Sequence, residues 1–139
     1  CETQGVSLYR AAYVVELVDV LLDMGRLREA ERHLDRLAEL EVVEGKCWQV
    51  LLMWGRLRRL QGRGEEAQKL LMRALDETPD GRSRFDVLRQ LYLTTEDPDL
   101  LRECVAQGRK VMAQVPHWDL RRMIEELERL RSDREGDDA

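Results

Sequence analysis

Asparagine is missing from the 139 residues, isoleucine occurs only at Ile124 and phenylalanine only at Phe85, and three lysines (Lys46, Lys69, Lys110) stand against twenty arginines. That bias points to a GC-rich coding sequence. Other shortages exclude chemistry. The longest apolar candidate is interrupted by Glu16, Asp19 and Asp23, so it falls short of the run of about 18 apolar residues that a membrane-spanning helix needs. Three widely spaced cysteines, Cys1, Cys47 and Cys104, make neither a disulfide framework nor a zinc site, and read as thiols in a reducing compartment. Of the two histidines, His33 falls on the polar side of a helical pattern and His117 in the Pro116-His117-Trp118 junction. Neither has a second base or ligand near it in sequence, so both are expected to be solvated or capping. Ser7, Ser83 and Ser132 stand near helix boundaries, where a hydroxyl caps, and not in the strand-turn-helix setting of a nucleophile. Gly62-Arg63-Gly64 follows no strand and lacks the spacing of a phosphate loop. Glu125, Glu126 and Glu128 lie beside Arg121, Arg122 and Arg129 at the spacing of ordinary helix-surface partners. The expectation is a protein that is not an enzyme, with no catalytic residues, no metal and no cofactor.

What is present is charge and apolar periodicity: 43% hydrophobic and 37% charged residues, the balance of a strongly helical soluble protein. The net charge of -5 is unevenly distributed. Residues 1–45 carry ten acids and five bases, residues 46–74 two acids and seven bases, and residues 75–139 sixteen acids and eleven bases. A basic middle between acidic ends can orient a partner or tie neighbouring elements together. The overall acidity argues against a nucleic-acid surface, which needs a basic face. The chain begins at Cys1 without a basic-then-apolar leader, which reads as a mature form or an excised piece of something longer. A cytoplasmic location is expected, with lipid attachment through Cys1 as the lesser alternative.

The chain repeats itself. Gly25, Glu29, Ala30 and Leu34 return 37 residues later as Gly62, Glu66, Ala67 and Leu71, and a weaker third copy carries Glu103 and Cys104 where the Glu-Ala pair falls. Pro79 and Pro116 close the second and third copies. Apolar residues at three and four spacing predict helices over Ser7–Met24 and Leu27–Leu40, with Gly25 between them in a position suited to positive φ. The second repeat follows the same plan, except that Arg58 stands where the first has Leu21. The third runs from Arg84 to Thr95 and returns to Pro116, with Asp97 as cap and Pro98 at the first helical position. Leu120, Met123, Ile124, Leu127 and Leu130 mark a seventh helix that closes the array's last apolar face. Repeats are expected at about 8–44, 45–81 and 82–116, with a capping helix at 117–131, all in one domain over 1–131. The acidic tail 132–139 is expected to be disordered.

These residues resemble tetratricopeptide repeat (TPR) proteins, whose antiparallel helix pairs carry a small residue at their closest approach, a Gly at the turn and a Pro after the second helix. Leu51, Trp54, Gly55, Gly62, Ala67, Leu71, Ala74 and Pro79 match in order and spacing. The first repeat keeps Leu17, Leu21, Gly25, Ala30 and Leu34, and the third keeps Leu88, Leu91, Val111 and Pro116 but puts Tyr92 where Gly55 sits and Gly108 where Leu71 sits. The resemblance spans roughly residues 8–116, and the 37-residue repeat is longer than the usual ~34. It implies an all-α, right-handed solenoid of antiparallel helix pairs with about seven helices. Independently of the family, helix axes about 8–10 Å apart need Ala or Gly where backbones touch, which points to Ala30 and Ala67.

In such arrays the first helix of each pair lines a concave groove. The 37-residue register puts Val15, Glu16, Asp19, Leu52, Met53, Arg56, Arg59, Arg89 and Leu93 on that surface. Val15, Leu52, Met53 and Leu93 form its apolar floor, and Arg56, Arg59 and Arg89 a basic cluster able to fork onto carboxylates. This composition suits a protein or peptide partner, such as an acidic amphipathic helix, held by a scaffold, adaptor or chaperone. The same register aligns Asp19 with Arg56 and Arg59 with Glu96, so ion pairs between repeats are an equal expectation. The Lys and Asn clamp by which some family members grip chaperone tails has no counterpart: Val15 and Asp19 occupy the matching positions. The alternatives are a sensory or regulatory segment of a larger protein, and a self-associating structural segment whose first helix, with Tyr9, Tyr13, Val14, Val20 and Leu22 in excess of one core face, pairs with another copy as a homo-oligomer.

Overall fold

The computed structural model describes the backbone of residues 2–39, 48–115 and 117–137, and the side chains of residues 13–37, 48–115 and 117–133. Among the described residues there are seven helices and no strand. None of these helices is long and apolar enough to cross a membrane. The chain divides into two compact units, Cys1–Glu77 and Thr78–Ala139, where the sequence reads one domain. The division falls at the start of the Thr78-Pro79-Asp80-Gly81 breaker cluster.

The first unit holds α1 (Glu2–Asp23), α2 (Leu27–Glu39), α3 (Trp48–Leu60) and α4 (Gly64–Asp76). Both hairpins turn by the same device. Gly25 at φ 76° and Gly62 at φ 81° take the left-handed conformation that glycine adopts without penalty. At the first turn the Gly25 N–H donates to the Leu22 carbonyl and the Arg26 N–H to the Leu21 carbonyl. At the second, the Gly62 N–H donates to Arg59 and the Arg63 N–H to Arg58. These paired bonds satisfy carbonyls that a helix end would otherwise leave open. A Cβ at either glycine would meet nothing within 4 Å, so backbone conformation and not space selects glycine there.

Burial follows the repeat. Val18, Leu21 and Leu22 on α1 enclose the core with Ala30, Leu34 and Leu37 on α2, and Ala67, Leu71 and Ala74 do the same on α4. Leu22 is thus core, not part of the excess apolar surface anticipated for the first helix. Gly55 marks the closest approach of α3 to α4, since a Cβ there would lie 2.6 Å from Leu71 Cγ. The helix α3 packs against α1, α2 and α4, and Val50, Leu51, Leu52, Met53, Gly55 and Leu57 on it are all buried. A helix enclosed on several sides has no wide polar face.

The second unit holds α5 (Gly81–Thr95), α6 (Pro98–Gln114) and α7 (Trp118–Asp137). Asp80 caps α5 by accepting a bond from the Ser83 N–H at 2.8 Å. That bond holds the Asp80 carboxyl below the usual aspartate range. Asp97 caps α6 by accepting from the Asp99 N–H at 2.9 Å, with Pro98 in the first turn. The turn between α5 and α6 has no glycine, and Glu96 takes the left-handed conformation at φ 57°.

The helix α6 packs against both α5 and α7. At Gly108 a Cβ would lie 2.8 Å from Phe85 on α5 and 2.8 Å from Ile124 on α7. The departure from the repeat at this position is therefore a close approach of three helices. Cys104 occupies the register of Ala30 and Ala67, and all three are fully buried. Burial pushes its thiol up to about 12, which keeps it protonated and inert at neutral pH. Leu120, Ile124 and Leu127 seal α7 against the core, while Leu130 is exposed. The disordered tail expected from Ser132 is not what the backbone shows, since α7 continues to Asp137. A helix already nucleated by tertiary packing extends by adding one backbone hydrogen bond for each residue it fixes, and here it runs on despite Gly136.

Candidate functional site

Arg56 lies across one repeat length from Asp19, and the two form the ion pair that the register anticipates. Its other terminal nitrogen donates to Asp23 Oδ1 at 3.1 Å, and its guanidinium also lies 3.7 Å from Met53 Sδ. Arg56 is mostly buried, with 13% of its side chain exposed. It therefore joins α3 to α1, and its charge is already matched by two carboxylates. The second aligned pair, Arg59 with Glu96, takes one residue from each unit.

Arg58, the irregular residue of the second repeat, makes the corresponding joint to α2. Its guanidinium donates to Glu31 Oε1 at 3.1 Å and to Gln61 Oε1 at 2.7 Å, while Gln61 Nε2 donates to Glu31 Oε2 at 3.2 Å. It also pairs with Glu66 on α4 at 3.5 Å and lies 5.0 Å from the centre of the Trp54 ring. An arginine replacing a leucine thus becomes a fork held by acids from both flanking helices, with its stem and plane packed on an aromatic. The signal in the sequence was a basic residue at an apolar position with Glu31 and Glu66 within reach, and it was legible only once the pairing of helices was known.

The other groove residues divide. Leu52 and Met53, expected as an apolar floor, are 7% and 6% exposed and belong to the core. Val15 on α1 is half-buried and Glu16 is exposed. Arg59 is half-buried on α3. Arg89 and Leu93, both half-buried, belong to α5 in the second unit. Arg89 contributes there to the electrostatics of Asp86, whose carboxyl burial raises while Arg82 opposes the shift.

The first helix instead carries an open apolar stripe. Tyr13, Val20 and Met24 are 64%, 54% and 57% exposed, and Leu17 between them is half-buried. Their spacing of four, three and four puts all four on one side of α1 and the turn that directly continues it. Val14, also anticipated as surplus, is half-buried, and Tyr9 lies outside the described side chains. In the second unit Val115, His117 and Trp118 are exposed at the junction of α6 and α7. His117 acts as a cap, its Nδ1 accepting from the Asp119 N–H at 3.2 Å. Among the described residues no group of three or more His, Cys, Asp or Glu is placed to hold a metal ion.

Compared with known proteins, the chain matches no family model, and no curated protein or solved structure proves similar to it.

Proposed function

We propose that the chain is a protein-interaction module: a TPR-like array of helix pairs, continuing as a right-handed solenoid, that serves as an adaptor or chaperone and takes up a helix or extended segment of a partner protein. The observation that carries this reading is the stacking of α3 on α1 at one repeat length, with Arg56 joined to Asp19 and Asp23. Helix pairs that stack by a repeated register build extended surfaces for recognition. The exposed and half-buried side of α1, from Tyr13 to Met24, supplies apolar area together with Glu16 as a polar contact.

Crosslinking in the native source followed by mass spectrometry tests the reading, with wild type compared against Glu16→Arg and Arg89→Ala. A specific protein held by wild type and lost with either variant supports it. Recovery of no specific protein by wild type overturns it.

A further inference from the structure

We infer that the open stripe of α1 is a docking face for a partner helix whose own apolar stripe is flanked by arginine or lysine. This rests on the reading of the chain as a protein-interaction module and names the surface and the chemistry of the partner.

On α3 the equivalent face is covered. Arg56 reaches α1 and Arg58 reaches α2, so Leu57, between them in the chain, points at the pair α1 and α2. Val50, Trp54 and Gln61 stand seven and three residues before Leu57 and four after it, on the same side of α3 and the turn that directly continues it. Gln61 confirms the direction by donating to Glu31 on α2. Leu57 is fully buried and Val50 nearly so. One repeat earlier, the four positions are Tyr13, Leu17, Val20 and Met24. The side that α3 turns toward a preceding helix pair is thus also built on α1, with apolar residues at all four positions, but there it is open: Val20 is 54% exposed where Leu57 is 0%.

Charge selects the occupant. At the covered joint the acceptor helix brings Arg56 and Arg58, and the preceding pair brings the acids Asp19, Asp23 and Glu31. On α1 the positions of Arg56 and Arg58 are Asp19 and Leu21, and exposed Glu16 and Asp23 lie on the same border of the stripe as Asp19. Arg56 offsets one of these three charges and leaves the border net acidic, so the polarity of the joint is inverted and a helix that covers α1 is matched by base there. Antiparallel pairing of α1 with α1 of a second copy would set these carboxylates against each other, which disfavours that self-association.

The test uses the full chain and two synthetic amphipathic helical peptides with one shared leucine stripe, flanked by arginine in one and glutamate in the other. Binding is followed by fluorescence anisotropy at low and high salt. The arginine-flanked peptide is expected to bind the wild type, and Val20→Glu and Tyr13→Glu, at exposed positions that leave the fold intact by circular dichroism, are each expected to weaken it by about tenfold or more. Glu16→Arg is expected to weaken the arginine-flanked peptide and strengthen the other. Equal binding of the arginine-flanked peptide to wild type and Val20→Glu overturns the inference, as does tighter binding of the glutamate-flanked peptide or binding of neither. A concentration-dependent dimer mass that Val20→Glu abolishes also overturns it, by making a second copy the occupant. Failure in the peptide assay with a specific crosslinked partner retained refutes this face and not the interaction module; absence of any crosslinked partner refutes the module itself.

Discussion

Replacing Gly108 with alanine isolates the packing of α6 between α5 and α7. The added Cβ would lie 2.8 Å from Phe85 Cε2, 2.8 Å from Ile124 Cγ1 and 3.0 Å from Ile124 Cδ1. Carbon atoms prefer separations of about 3.5–4.0 Å, so both neighbours must move by roughly 0.5–1 Å, and both are themselves buried. Overpacking of this kind costs about 1–3 kcal/mol, and the upper half of that range applies because the two obstacles lie on different helices and relief toward one tightens the other. Alanine in place of glycine in a helix interior returns about 1 kcal/mol. The net expectation is a loss of about 1–2 kcal/mol in urea unfolding followed by circular dichroism. Ile124→Val removes the Cδ1 atom and should restore part of the loss in the double variant, a coupling that the two single changes alone would not produce. Gly64→Ala is the control, because a Cβ there meets nothing within 4 Å, and it should be neutral or slightly stabilising. A Gly108→Ala protein as stable as wild type, or a double variant with purely additive losses, would refute the three-helix contact.

Two further outcomes follow from the turns and caps. Glu96 holds a left-handed backbone without being glycine, a conformation that costs an ordinary residue about 1–2 kcal/mol. Glu96→Gly should therefore raise stability, by about 0.5–1 kcal/mol after the greater entropy of glycine in the unfolded chain is deducted, and an unchanged or lowered urea midpoint would contradict the turn. Asp80→Ala removes the acceptor for the Ser83 N–H and should cost about 1 kcal/mol at pH 7. Because the folded Asp80 carboxyl is held below its ordinary range, its contribution is present above the unfolded value of about 3.9 and is lost as pH falls through the lower folded value. The gap between wild type and variant, read as urea midpoints across pH, should be full at pH 5 and narrow below 3.9; a gap independent of pH would exclude the charged cap.

Much of the local structure was legible because each turn residue answers a strict requirement. Gly25 and Gly62 were readable from the turn between paired helices, Asp97-Pro98 from cap chemistry, and Ala30 and Ala67 as buried positions of the repeat. Gly108 was visible as a departure but not as a contact, since its two neighbours come from positions 23 residues before and 16 after it, and no local period encodes that meeting. Leu52 and Met53 were read as groove floor because the 37-residue register assigns equivalent positions equivalent exposure. That assumption fails for α3, which is packed by three helices at once. The Asp19–Arg56 pair was readable for the opposite reason: it connects equivalent positions of consecutive repeats, the one kind of distant contact that periodicity does encode.

That joint also gives the first two repeats a grammar. Asp19 and Asp23 on one side and Arg56 on the other behave like a plug and socket of opposite kind, so the order of the repeats is written into their charges. A tandem duplication of the first repeat would set Asp19 against a second Asp19 and leave Glu31 facing a leucine in place of Arg58. Exchanging or copying the first two repeats therefore breaks these ion pairs, unless the charges at each new seam change with them.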